Sequence, residues 1–109
     1  MEVTVWLSFD LSREEEDRRT LYMWLAERDA KECGGNTAML KFKCNDLSKI
    51  HDELQKSINE FGAISFRSRI YAICPRPDGK PFGGFIFGNC RKANPDWLEY
   101  KTVDDTLDE

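Results

Sequence analysis

A chain of 109 residues, 40% hydrophobic and 33% charged, is long enough for one domain with one real core. No apolar run approaches the ~20 residues that span a bilayer, and no basic stretch leads into an apolar signal core, so the expected setting is cytoplasmic, with no membrane partner. All of the net charge of −4 is accounted for by Asp104, Asp105, Asp108 and Glu109, which leaves residues 1–102 electrically balanced.

The first stretch, Val3-Thr-Val-Trp-Leu-Ser-Phe-Asp10, alternates with the period of a strand. Val3, Val5, Leu7 and Phe9 share one face, and Thr4, Ser8 and Asp10 the other. Trp6 falls on the polar face and calls for a cover, such as a dimer partner. Ser12-Arg-Glu-Glu15 has the form of a capping box, and Glu14, Glu15, Glu16 and Asp17 suit the positive end of a helix dipole. Leu21, Trp24 and Leu25 then set an apolar stripe, in a helix ending near Glu27 to Asp29.

Ala30–Cys33 reads as a short strand, and Gly34-Gly35 as a two-residue turn with positive φ, leading into the strand Thr37–Cys44. Asn45 or Asp46 caps a second helix, in which Leu47, Ile50, Leu54, Ile58 and Phe61 recur at helical spacing and Gly62 marks the stop. His51 lies at the edge of that stripe. Ile64–Cys74 alternates again, with Arg67, Arg69 and Tyr71 on one side. Pro75-Arg-Pro-Asp-Gly79 is turn chemistry, and Phe82–Phe87 forms a further strand whose two glycines imply a bulge or a close backbone approach. Asn94-Pro95 is a turn, Trp97 and Tyr100 are expected to pack back, and residues 103–109 form an acidic tail expected to be disordered.

Cys33, Cys44, Cys74 and Cys90 contain no C-x-x-C pair, and His51 is the single histidine, so the spacing argues against zinc and for free thiols. Between Gly62 and Lys92, Arg67, Arg69, Arg76, Lys80, Arg91 and Lys92 face Asp78 alone, a pattern that hints at a polyanion partner.

Strand, helix, strand, strand, helix, strand is the order of a ferredoxin-like α+β sandwich: βαββαβ in an antiparallel sheet, two helices on one face, plus one appended C-terminal strand. The expected layout is a single domain over 1–102, with its core in 2–74 and the appended strand and C-terminal segment in 75–102. Crossover handedness brings the first strand to the sheet centre.

Phe9-Asp10-Leu11 closing the first strand, Leu21-Tyr22, Leu25, Ala30-Lys31, Ala38-Met-Leu-Lys41, Leu47, Ile50, Asp52-Glu53-Leu54 and Arg69-Ile-Tyr71 together resemble a known group. It is the small ferredoxin-like superfamily of CRISPR-associated endonucleases, virulence-associated protein D and SinR-like proteins, over about residues 2–74. The resemblance implies a homodimer and magnesium-dependent cleavage of RNA or DNA, with Asp10 as metal ligand and catalytic residue. On that reading Arg13, Arg18 and Arg19 clamp phosphate, and Arg67 and Arg69 line the nucleic-acid track. Two Asp10 carboxylates meeting across a two-fold axis would share the Mg2+. The competing expectation is a non-catalytic interaction module, such as an antitoxin, a regulator or a phage-type inhibitor, that binds a protein partner. Asp10 is then a turn residue before a helix.

Overall fold

The computed structural model describes residues 1–12, 15–90 and 94–101. Arg13, Arg91, Lys92 and the acidic segment 103–109 lie outside the described residues. The elements are β1 (Glu2–Asp10), α1 (Glu15–Glu27), β2 (Lys31–Gly34), β3 (Thr37–Lys43), a 3-10 turn (Leu47–Lys49) running into α2 (Ile50–Asn59), β4 (Arg69–Pro75), β5 (Pro81–Phe87) and a 3-10 turn Asp96–Tyr100. They form an antiparallel sheet of order β2-β3-β1-β4-β5. Both helices pack on one face, and the chain is the expected α+β sandwich of ferredoxin-like order.

β1 is the central strand. Val5 and Leu7 are fully buried against the helices, and Phe9 nearly so. Full burial of side chains this size stabilises by roughly 1.5–3 kcal/mol each. α1 contributes Leu21 and Trp24, and α2 contributes Ile50, Leu54 and Ile58. The remainder of the core comes from Leu40 and Phe42 of β3, Ile70 and Ala72 of β4 and Ile86 of β5. Cys44 and Cys74 are core residues too, and burial, reinforced by Cys44, pushes the Cys74 thiol up to about 12. Among the described residues no helix is long and apolar enough to cross a membrane.

The β4–β5 hairpin follows its sequence closely. Gly79 donates to the Arg76 carbonyl (2.8 Å) and the Arg76 amide to the Lys80 carbonyl (2.8 Å), around Pro77-Asp78. This three-residue loop needs a positive φ at its last position, and Gly79 supplies +85°. β5 therefore pairs with β4 of its own chain. Both strand glycines are close-approach sites. A Cβ on Gly83 would sit 2.8 Å from Cζ of Tyr71, while Gly84 faces the His51 ring at 3.4 Å on the opposite side.

Three local expectations are corrected. The β2–β3 turn residues are Gly35-Asn36, not Gly34-Gly35, and neither has the positive φ of a primed turn. The positive φ is at Gly34, where the β2–β3 register shifts, so the glycine serves a bulge. Trp97 and Tyr100, expected to pack back, instead stand 75% and 78% exposed, whereas α1 ends at Glu27 as expected, with Asp29 in the left-handed region (φ 52°) where glycine is usual. β4 begins at Arg69 rather than Ile64, because Ser65 and Ser68 are drawn out of the sheet toward α1.

The loop into α2 is held by acceptors that sequence reading only half anticipated. Asp46 caps the 3-10 turn by accepting from the Ser48 amide and hydroxyl. Glu53, one turn into α2, reaches back to accept from the Asn45 and Asp46 amides, both at 2.8 Å. These bonds favour the ionised forms, and both carboxyls are held below their usual values, Asp46 by Ser48 and Glu53 by the two amides. A depressed folded-state pKa stabilises above the ordinary carboxylate value of about 4 and loses that contribution as pH falls through the folded value. Glu53→Gln should therefore flatten the loss of stability as pH falls below the ordinary glutamate range, read from urea midpoints at stepped pH. An unchanged slope would remove Glu53 from the acid response.

Candidate functional site

Strand alternation leaves one face of the sheet without helices, and the register arranges it in rows. Met39, Trp6, Ile73 and Gly83 form the central row, and Lys31 stands opposite Met39. Thr37, Ser8, Tyr71 and Phe85 form the next row. Tyr71 and Phe85 meet edge to face at 5.1 Å, with the Tyr71 ring lying over the space that Gly83 leaves open. Trp6 and Ile73 are each 42% exposed at the middle of this face. With Leu7, Ser8, Thr37 and Tyr71 they line a shallow hollow of about 160 Å³. Each end of the face closes on an acid opposite a base: Glu2 and Lys43 at one end, Asp10 and Arg69 at the other.

Asp10 is where the strand period puts it, on the last residue of β1, with its side chain 68% exposed. Its carboxylate accepts a short hydrogen bond from the Arg69 guanidinium directly across the ladder. Of the described arginines proposed to accompany it, Arg69 is brought to it. Arg18 pairs with Glu15 at 3.6 Å on α1, and Arg19 is exposed on the same helix. Arg67 sits in the loop before β4, with its guanidinium 5.6 Å from the centre of the Phe66 ring. Arg13 lies outside the described residues.

The donor set of one chain does not fit magnesium. Mg2+ wants carboxylate and water oxygens in octahedral array. Among the described residues, Asp10 is the carboxylate at this end of the open face and one of its oxygens is held by a guanidinium, and no cluster of three His, Cys, Asp or Glu occurs. The Arg69 contact fixes one oxygen, Oδ2, of the Asp10 carboxylate.

His51 is a packing residue. Its Nε2 lies 3.1 Å from the Ala72 carbonyl, and its ring meets Phe82 edge to face at 5.2 Å. That contact docks α2 on β4 and β5, and Arg76 covers the Phe82 ring at 4.9 Å.

Sequence reading missed Asp17. It is 1% exposed, accepting from the Ser65 amide (2.9 Å), the Ser12 hydroxyl (3.0 Å) and, by a short bond, the fully buried Ser68 hydroxyl. The Ser12 amide, which a capping box assigns to the glutamate, donates to Ser68 Oγ at 2.7 Å. Asp17 thus ties the exit of β1, the start of α1 and the loop before β4, and so fixes the neighbours of Asp10 and Arg69. The available signal was its place on the Leu21–Trp24 stripe, one turn before Leu21.

No family model matches the chain, and neither a curated protein nor a solved structure matches it, so the resemblance to the CRISPR-associated endonuclease superfamily rests on the quoted residues alone.

Proposed function

We propose that the chain is a non-catalytic interaction module that binds a protein partner, a second copy of itself included, through the open face of its sheet. The observation that carries this reading is the central row, where Trp6 and Ile73 are half-exposed between acid–base pairs at either end. An apolar centre with a mixed-charge rim is the anatomy of a protein interface, and a buried tryptophan is its commonest anchor. The net charge of −4 disfavours a nucleic acid as that partner. A reducing, cytoplasmic setting goes with this reading, since two thiols serve as buried core residues.

A second reading is a homodimeric, metal-dependent endonuclease in nucleic-acid-linked biology, favoured by one observation. Asp10 stands exposed at the rim of the same open face, where a second copy could bring another carboxylate.

One comparison separates the two. Wild type, Trp6→Arg and Asp10→Ala are assayed on labelled single-stranded RNA and duplex DNA with magnesium or EDTA, and their mass is followed by light scattering. The expected result is no metal-dependent cleavage, a dimer in wild type and Asp10→Ala, and association weakened at least about 30-fold in Trp6→Arg. Metal-dependent cleavage that vanishes in Asp10→Ala would replace the first reading with the second.

A further inference from the structure

The open face has its chemical complement in the same chain. On the reading of that face as the binding surface, we infer that its occupant is the acidic, aromatic C-terminal segment, residues 94–109, of a second copy.

On the receiving side, Trp6 and Ile73 are the exposed apolar centre, with Met39, Tyr71 and Phe85 beside them. The charges around them lean positive. With Asp10 paired to Arg69 and Glu2 opposite Lys43, Lys31 and Lys41 are the surplus. On the donating side, the 3-10 turn Asp96–Tyr100 exposes Trp97 (75%), Leu98 (47%) and Tyr100 (78%). With three residues per turn, Trp97 and Tyr100 project from one side of it. Asp96 and Glu99 lie within the turn, and Asp104, Asp105, Asp108 and Glu109 follow in sequence.

Charge complementarity argues for this occupant. The segment brings acids to those lysines and aromatic rings to the apolar row. Reciprocal exchange closes a two-fold dimer in which each copy gives one segment and one face. A five-stranded face is about 24 Å wide and about 25 Å along its strands, so roughly 600 Å². Two such faces offer about 1,200 Å² on the receiving sides alone, enough for a specific interface once the segments' own buried surface is added.

The test uses a fluorescein-labelled peptide of residues 94–109, titrated by anisotropy against full-length Trp97→Ala/Tyr100→Ala, whose own segment is disabled. Light scattering of the wild-type chain and of the same variant runs alongside. The expected result is saturable binding that weakens with salt and at least about 30-fold when Trp6→Arg or Ile73→Lys is added to the receptor. Circular dichroism confirms the fold of each receptor, and the wild-type dimer should dissociate in Trp97→Ala/Tyr100→Ala. A dimer that survives loss of the two aromatics but not Trp6→Arg overturns this occupant and leaves the open face as the binding surface. Peptide binding indifferent to both Trp6→Arg and Ile73→Lys overturns the open face as well. A monomeric wild type with no peptide binding overturns the self-docking and leaves the face to a foreign protein.

Discussion

Asp17→Ala should destabilise the domain by about 3–5 kcal/mol, a large share of the ~5–15 kcal/mol that holds a domain of this kind. The carboxylate accepts from the Ser65 amide, the Ser12 hydroxyl and the Ser68 hydroxyl, and Ser68 is itself fully buried. Alanine leaves those donors facing a cavity, where each unsatisfied buried group costs about 1–3 kcal/mol. Asp17→Asn keeps the volume and one acceptor for the Ser65 amide, and the hydroxyls can turn to accept from the new amide, so its cost should be about 1–2 kcal/mol. Guanidinium titrations followed by circular dichroism read both, and a loss below about 1 kcal/mol in Asp17→Ala would show that the network carries little stability. The effect reaches the candidate site through one covalent step. Ser68 precedes Arg69, the partner of Asp10, so release of this loop frees the first residue of β4.

The parts of the fold that were legible are those whose neighbours in space are also neighbours in period. β1, β3 and α2 announce themselves because Val5 and Leu7, Leu40 and Phe42, and Ile50, Leu54 and Ile58 repeat at the spacing of one buried face. The hairpin at Arg76–Lys80 was legible because Pro77, Asp78 and Gly79 each match a position of the turn. Ile64–Ser68 misled for the converse reason. It alternates like strand, yet Ser65 and Ser68 are held by Asp17, 48 and 51 residues earlier in the chain, a bond no local pattern encodes. Asp17 itself was hidden among Glu14, Glu15 and Glu16, since a helix dipole welcomes all of them and only tertiary contact selects one for burial. At the site, strand parity alone placed Asp10 and Trp6 on the open face. The pairing of Asp10 with Arg69 depends on which strand lies beside β1 and in what register, which no local pattern encodes.

Trp24→Ala should cost about 3–5 kcal/mol, because this one side chain joins both helices to the sheet. Its ring is fully buried and packs at 6.3 Å from Phe42 of β3, while the Arg28 guanidinium covers it at 4.5 Å. Its Nε1–H donates to Ser57 Oγ of α2 at 2.8 Å, and Arg28 donates to the same oxygen at 2.8 Å. Trp24→Phe separates the two contributions. It retains most of the apolar contact and leaves Ser57 still bonded to Arg28, so a loss of about 1–2 kcal/mol is expected. Arg28→Ala, measured alone and combined with Trp24→Phe, completes a cycle, and the residues are close enough that their effects should not add. All three substitutions fall on the helix side of the sheet, away from Trp6 and Ile73. Association through the open face should therefore persist wherever the variants remain folded, and a Trp24→Phe protein that folds but no longer associates would place the binding surface on the helices instead.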